Sequence, residues 1–125
     1  MQQLDQYQPQ ALAILRIMSS LLFIAHGTQK LFGFPGDGSI VNYMSLMGLA
    51  GILEVIGGIC LVIGFKTRIV AFVLSGMMAV AYFMAHAPQN FFPVLNGGDA
   101  AILFCFVFLY LVFSGPGAWS LDSRS

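Results

Sequence analysis

Long apolar stretches alternate with short polar or glycine-rich breaks along this chain. Residues 11–32, 47–64, 69–85 and 99–113 carry almost no charge, and each is read as a helix. A helix rises about 1.5 Å per residue, so roughly 20 apolar residues cross the hydrocarbon core of a bilayer. The pattern therefore predicts an all-α, four-helix transmembrane bundle, forming one domain over residues 1–125.

The breaks fit that reading. Gly33-Phe34-Pro35-Gly36-Asp37-Gly38 ends the first helix. Residues 39–46 are expected as a short amphipathic connection at the interface. Lys66-Thr67-Arg68 is a tight turn, Phe91-Phe92-Pro93-Val94-Leu95 a short apolar loop, and Asn96-Gly97-Gly98-Asp99 a turn leading into the last helix. Gly115-Pro116-Gly117 stops that helix, and Trp119 suits an interfacial anchor.

The second stretch carries Gly48, Gly51, Gly57, Gly58 and Gly64. Small residues at helical spacing let backbones approach closely in lipid. Glu54 lies three residues after Gly51 and four before Gly58, so it points into that close-packed face.

Composition narrows the class. Hydrophobic residues make up 58% and charged residues 8%, against about a quarter charged in an ordinary soluble domain. With a mean hydropathy of +0.87, this is a polytopic membrane protein with no room for a soluble catalytic lobe. Five basic and five acidic residues cancel, and no basic patch suggests nucleic acid. The first apolar run is too long for a signal-peptide core and is read as a retained helix. Cys60 and Cys105 stand alone, with neither CxxC nor zinc spacing. Their depths, near opposite ends of their helices, exceed the roughly 7 Å Cα separation a disulfide tolerates. No internal repeat signals an inverted-repeat transporter.

Four spans put both termini on the side of Arg16, Lys66, Arg68 and Arg124, leaving only Lys30 on the other. The positive-inside rule makes the termini cytoplasmic, with residues 33–46 and 87–98 facing outward. Arg16 is expected to snorkel to the interface, and Arg68 to anchor topology.

The polar residues within the apolar runs carry the candidate chemistry. In His26-Gly27-Thr28-Gln29-Lys30, the histidine, amide and ammonium share one helical face. A charge at the centre of a spanning helix costs about 2.5–3.5 kcal/mol on insertion scales, so these groups should face protein or water. By helical rise, His26 lies ~9 Å, Lys30 ~3 Å and Glu54 ~10 Å below the outer ends of their helices. His86 and Asp99 sit at outer helix ends, and Ser75, Met78, Tyr82 and His86 share a ridge. A polar nest in the outer half follows. One reading is structural: a Lys30–Glu54 or His26–Glu54 pair ties the first two helices, His86 favours a helix C-terminus, and Asp99 is a first-turn acid. The other is a pocket in which His26 or Glu54 moves a proton, with Gln29, Lys30, Tyr82, His86 and Asp99 binding ligand or setting charge.

The motifs His26-Gly27-x-Gln29-Lys30-Leu31-Phe32-Gly33, Gly51-x-Leu53-Glu54-x-x-Gly57-Gly58, Gly64-x-x-Thr67-Arg68, Asn96-Gly97-Gly98 and Gly115-Pro116-Gly117-x-x-Ser120-Leu121-Asp122 resemble the DoxX family of small bacterial membrane proteins, from about residue 14 to 122. The resemblance implies a multi-pass protein of the bacterial inner membrane. The family takes its name from a subunit of a thiosulfate:quinone oxidoreductase, and other members are associated with thiol and oxidative-stress complexes. It thus implies a quinone-linked redox subunit whose pocket accepts a quinone, with His26 and Glu54 as catalytic groups. The electron donor would be a separate redox partner protein, since the chain shows no metal, flavin or dithiol centre of its own. Two alternatives stay open: a non-enzymatic assembly or binding module, and a permease built by homo-oligomerisation. Two departures from the family pattern stand out. Related sequences often carry an acid near Met77, and Glu where this chain has Asp99.

Overall fold

A computed structural model of the chain describes residues 2–124. Met1, Ser125 and the side chain of Arg124, counted above toward sidedness, lie outside the described residues. Among these there are helices and connections, and no strands. The long helices are α1 (Gln8–Phe32), α2 (Leu46–Ile63), α3 (Thr67–Ala81) and α5 (Asp99–Ser114), with a one-turn helix α4 (Pro93–Asn96) before the last. Three helical segments among the described residues are long and apolar enough to cross a membrane: Gln2–Phe32, Leu46–Ile63 and Thr67–Gln89. The fourth, α5, is equally apolar but has 16 residues, about 24 Å of helix.

Local chemistry sets the boundaries. Gly33 takes a left-handed conformation, and its N–H closes α1 onto the Gln29 carbonyl. The Ser45 side chain accepts from the Gly48 N–H and opens α2. Residues 39–46, expected as an amphipathic connection, fold back on the end of α1 instead. The Val41 N–H and Tyr43 hydroxyl donate to the Lys30 and Leu31 carbonyls, at 2.9 and 2.5 Å. Those carbonyls are left over where a helix stops, so the loop supplies their donors. The apolar loop 91–95 is likewise partly helical, because Pro93 can start a turn that Gly97 ends. The third helix does not stay α-helical to residue 85. It passes at Tyr82 into a π turn, Tyr82–His86.

Packing pairs α1 with α2 and α3 with α5. The first pair is close because glycines face it. A Cβ on Gly27 would lie 2.7 Å from Val55 Cγ2 and 2.9 Å from the Gly51 carbonyl oxygen. One on Gly58 would lie 2.4 Å from Ile24 Cγ1. The two pairs meet at mid-depth, where Phe23 of α1 is edge-on to Phe104 and Phe108 of α5, with centroids 5.2 and 5.0 Å away.

At the end holding both termini, hereafter the tail end, the segment after α5 forms a strap. The Ala118 N–H donates to Pro9, Leu121 to Ile63 and Asp122 to Gly64. Arg16 does not snorkel. It is fully buried and donates to the carbonyls of Pro116, Ala118, Val62 and Trp119. A guanidinium carries five donors, so one residue can hold several strap carbonyls at once. The Asp122 carboxylate accepts from the Lys66 and Thr67 N–H groups at 2.7 and 2.8 Å, where α3 begins with no cap of its own. Burial raises its pKa, but these donors favour the carboxylate more strongly, and the net direction is down. Arg68 donates to the Val112 and Phe113 carbonyls at the end of α5.

Candidate functional site

The opposite, loop end carries polar groups of the helix interiors. A cavity of about 230 Å³ lies between the two helix pairs. His26 and Lys30 reach it from α1, Glu54 from α2, Met78 and His86 from the third helix, and Phe104 from α5. The close approach of α1 and α2 at Gly27 positions its acidic wall. With no side chain there, the Glu54 Cβ sits against α1 one turn from Lys30. Lys30 Nζ then lies 2.7 Å from Glu54 Oε1, with Glu54 3% exposed and Lys30 21%. Of the two pairs open from sequence, the Lys30–Glu54 one forms.

His26 makes an edge contact with Phe104, centroids 5.7 Å apart, and no hydrogen bond to any described residue. Its ring is exposed at the cavity wall. His86 is held. Its Nδ1 lies 3.0 Å from the Asn96 carbonyl oxygen, and its ring stacks on Tyr82 at 6.3 Å. A carbonyl only accepts, so Nδ1 carries the proton in that contact. In a π turn each backbone bond spans one more residue than in an α-helix. Here the Ala87 N–H reaches back to the Tyr82 carbonyl.

Asn96 organises this second polar group, and reading it only as a turn residue missed it. It is 5% exposed. Its Nδ2 donates to the Tyr82 hydroxyl and the Asn90 carbonyl, and its Oδ1 accepts from the Gly98 N–H. The signal available in the sequence was an amide directly before two glycines, since a buried amide needs backbone close by. Phe104, which joins the aromatic contact below to His26 above, had no distinguishing signal within an apolar run.

The structure thus brings His26, Lys30, Glu54 and His86 to one cavity. The other expected site residues lie elsewhere. Gln29 is exposed and faces the loop at Gly36 and Asp37, because it sits one residue round the helix from Lys30. Tyr82 packs beside the core and meets Asn96. Asp99 is exposed in the first turn of α5. Cys60 and Cys105 are both free thiols. No group of three or more metal-ligating side chains is present among the described residues.

Comparison with known proteins shows the family. The DoxX family model matches residues 11–87. An uncharacterized protein of Haemophilus influenzae is 45% identical over 132 aligned residues, covering 99% of this chain and 97% of its own length. Two Escherichia coli K12 proteins, inner membrane protein YqjF and inner membrane protein YphA, are each 32% identical, covering 87% and 94% of this chain and 87% and 91% of their own lengths. No solved structure gives a significant match.

Proposed function

The chain belongs to the DoxX family of membrane proteins, and on that premise we propose that it is a quinone-binding redox subunit of a bacterial inner membrane. The observation that carries this reading is the cavity lined by His26, the Lys30–Glu54 pair, His86 and Phe104, with His26 edge-to-face with Phe104. At about 230 Å³ it is smaller than the roughly 300–1,000 Å³ of drug-sized sites, which suits a single ring better than a bulky cofactor. Inner-membrane relatives favour the location.

On this reading α5 is the fourth span. Its 16 residues are extended at the tail end by the strap and Trp119, which is 61% exposed. Lys66 and Arg68 at the tail end against Lys30 at the loop end put the termini in the cytoplasm. The cavity then lies in the outward half of the bilayer.

Reducing a quinone to a quinol takes two electrons and two protons. The electrons come from a separate donor protein. His26 suits delivery of the two protons in turn, re-protonated from water between them, because it is exposed and its ring makes no hydrogen bond to any described residue. His86 donates its Nδ1 proton to the Asn96 carbonyl, so its Nε2 accepts and suits a hydrogen bond from a quinol hydroxyl. Glu54 Oε1 accepts from Lys30 Nζ at 2.7 Å, so this pair sets the local charge of the cavity wall. The test is saturable binding of a quinone analogue to the reconstituted protein. Binding weakened at least tenfold by His26→Ala is expected; binding indifferent to that change would overturn the reading.

One observation favours a second reading. Lys30 and Glu54 satisfy each other at 2.7 Å, as structural glue would. An assembly module without turnover predicts that Glu54→Gln lowers stability and alters nothing else.

A further inference from the structure

Beside the polar cavity lies a second one, about 290 Å³, between α2 and the third helix. All of its lining is leucine, methionine, alanine and valine. Among these, Leu49, Val80 and Met84 are more than half exposed. In a bilayer such a groove faces acyl chains. It exists because α2 and α3 are close at only one end. They are joined by a three-residue turn, and a Cβ on Gly57 would lie 2.8 Å from Leu74 Cδ1. Toward the loop end the gap between them is not filled.

The two cavities share one wall. Met47, Ala50, Met77, Ala81 and Ala85 line both. Three of these are alanines, which make a low sill. The other two are methionines, unbranched side chains with three rotatable bonds. Met47 is 50% exposed, and rotamer changes of such a chain take picoseconds to nanoseconds; Met77 is half-buried at the edge of the core. A polar cavity and a lipid-facing groove are therefore separated by small and movable side chains alone.

We propose that this wall is a lateral port, and that the site takes an amphipathic, membrane-borne ligand: a polar head in the cavity and a flexible apolar chain laid along the groove between α2 and α3. Resting on the quinone reading, the chain is the quinone's isoprenoid tail and the head its ring. The same chemistry, one compact head on one chain, is shared by single-chain lipids, so the experiment separates the two. A water-soluble substrate has no use for the groove. The port makes the bilayer the route of entry, and Met47 and Met77 the residues that swing aside.

The full chain is reconstituted in lipid nanodiscs with a tailed quinone bearing a photoreactive diazirine on an early tail carbon, and labelled peptides are mapped by mass spectrometry. Labelling of Leu49, Leu53, Val80 or Met84, competed by unlabelled tailed quinone, is expected. Val80→Phe, in the groove and outside the polar cavity, should cut that labelling about tenfold; Val80→Leu, a smaller change, should cut it less and guards against a folding defect. Binding of the tailless quinone ring should stay within twofold in both variants. Labelling that maps instead to α1 or α5 beside His26 overturns the port and keeps the cavity reading. Groove labelling competed by a lysophospholipid and not by quinone keeps the port and overturns the quinone. Absence of competable labelling together with absence of ring binding overturns both.

Discussion

The two ends of this molecule use polar residues in opposite ways. At the tail end, Arg16 and Asp122 are engaged with backbone: Arg16 with four carbonyls, Asp122 with two N–H groups. At the loop end, side chains meet side chains across a cavity, and His26 keeps its hydrogen-bonding capacity uncommitted among the described residues. Leftover helix-end groups must be satisfied wherever water is scarce, so a polar residue bound to backbone is explained by the fold alone. A polar side chain with no hydrogen-bond partner among the described residues, such as His26, is not, and it is the better candidate for chemistry.

The largest expected effect tests what holds the site together. Gly27→Leu would drive α1 off α2, since a Cβ there already meets Val55 and the Gly51 backbone within 3 Å. Folded protein recovered by size-exclusion chromatography should fall to a small fraction of wild type. Arg16→Leu comes next. It strips the donor from three strap carbonyls and from the Val62 carbonyl of α2, at about 1–3 kcal/mol for each left unsatisfied, and water at the interface offsets part of this. A loss on the order of 3 kcal/mol in thermal unfolding is expected, with quinone affinity of the surviving folded protein unchanged.

The ion pair sharpens the contrast between the ends. Glu54→Gln leaves Lys30 without its partner, but Lys30 is 21% exposed and can rehydrate. The cost should be about 1–2 kcal/mol, below the roughly 3–5 kcal/mol of breaking a fully buried pair. The double variant Lys30→Met, Glu54→Met should recover most of that stability while still impairing quinone binding; full binding in the double variant would make the pair glue only.

The smallest effect is at Asp122. Its pKa is lowered by folding, so its contribution is present above the unfolded value near 3.8 and is lost as pH falls through the folded value. Wild type should therefore lose more thermal stability than Asp122→Asn between pH 5 and pH 3, whereas the two should run parallel above pH 5.

Much of the fold was legible because apolar length and glycine punctuation act locally. The boundaries at Phe32, Ile63 and Asp99 follow from Gly33, Gly64 and the Gly97-Gly98 pair. The Glu54 environment was legible for the same reason, since Gly51 and Gly58 mark the face it shares. Arg16 was not. Its partners lie about a hundred residues away in sequence, and nothing near it distinguishes a buried clamp from a snorkelling cation. The π turn at Tyr82–His86 was equally invisible, because the contacts of Tyr82 and His86 to Asn96 join positions ten or more residues apart. Gln29 was misassigned by counting a shared face too broadly: one step of 100° carries it from the cavity to the loop.

The central claim is that the loop-end cavity holds a ligand ring while the tail end is purely structural. A density map of the protein extracted with its native lipids tests this most directly. The account predicts planar, ring-sized density against the Phe104 edge, within hydrogen-bond reach of His26 or His86, with a tail leaving between α2 and the third helix. Acyl-chain density filling the cavity, with the His26 ring turned out toward lipid, would contradict it.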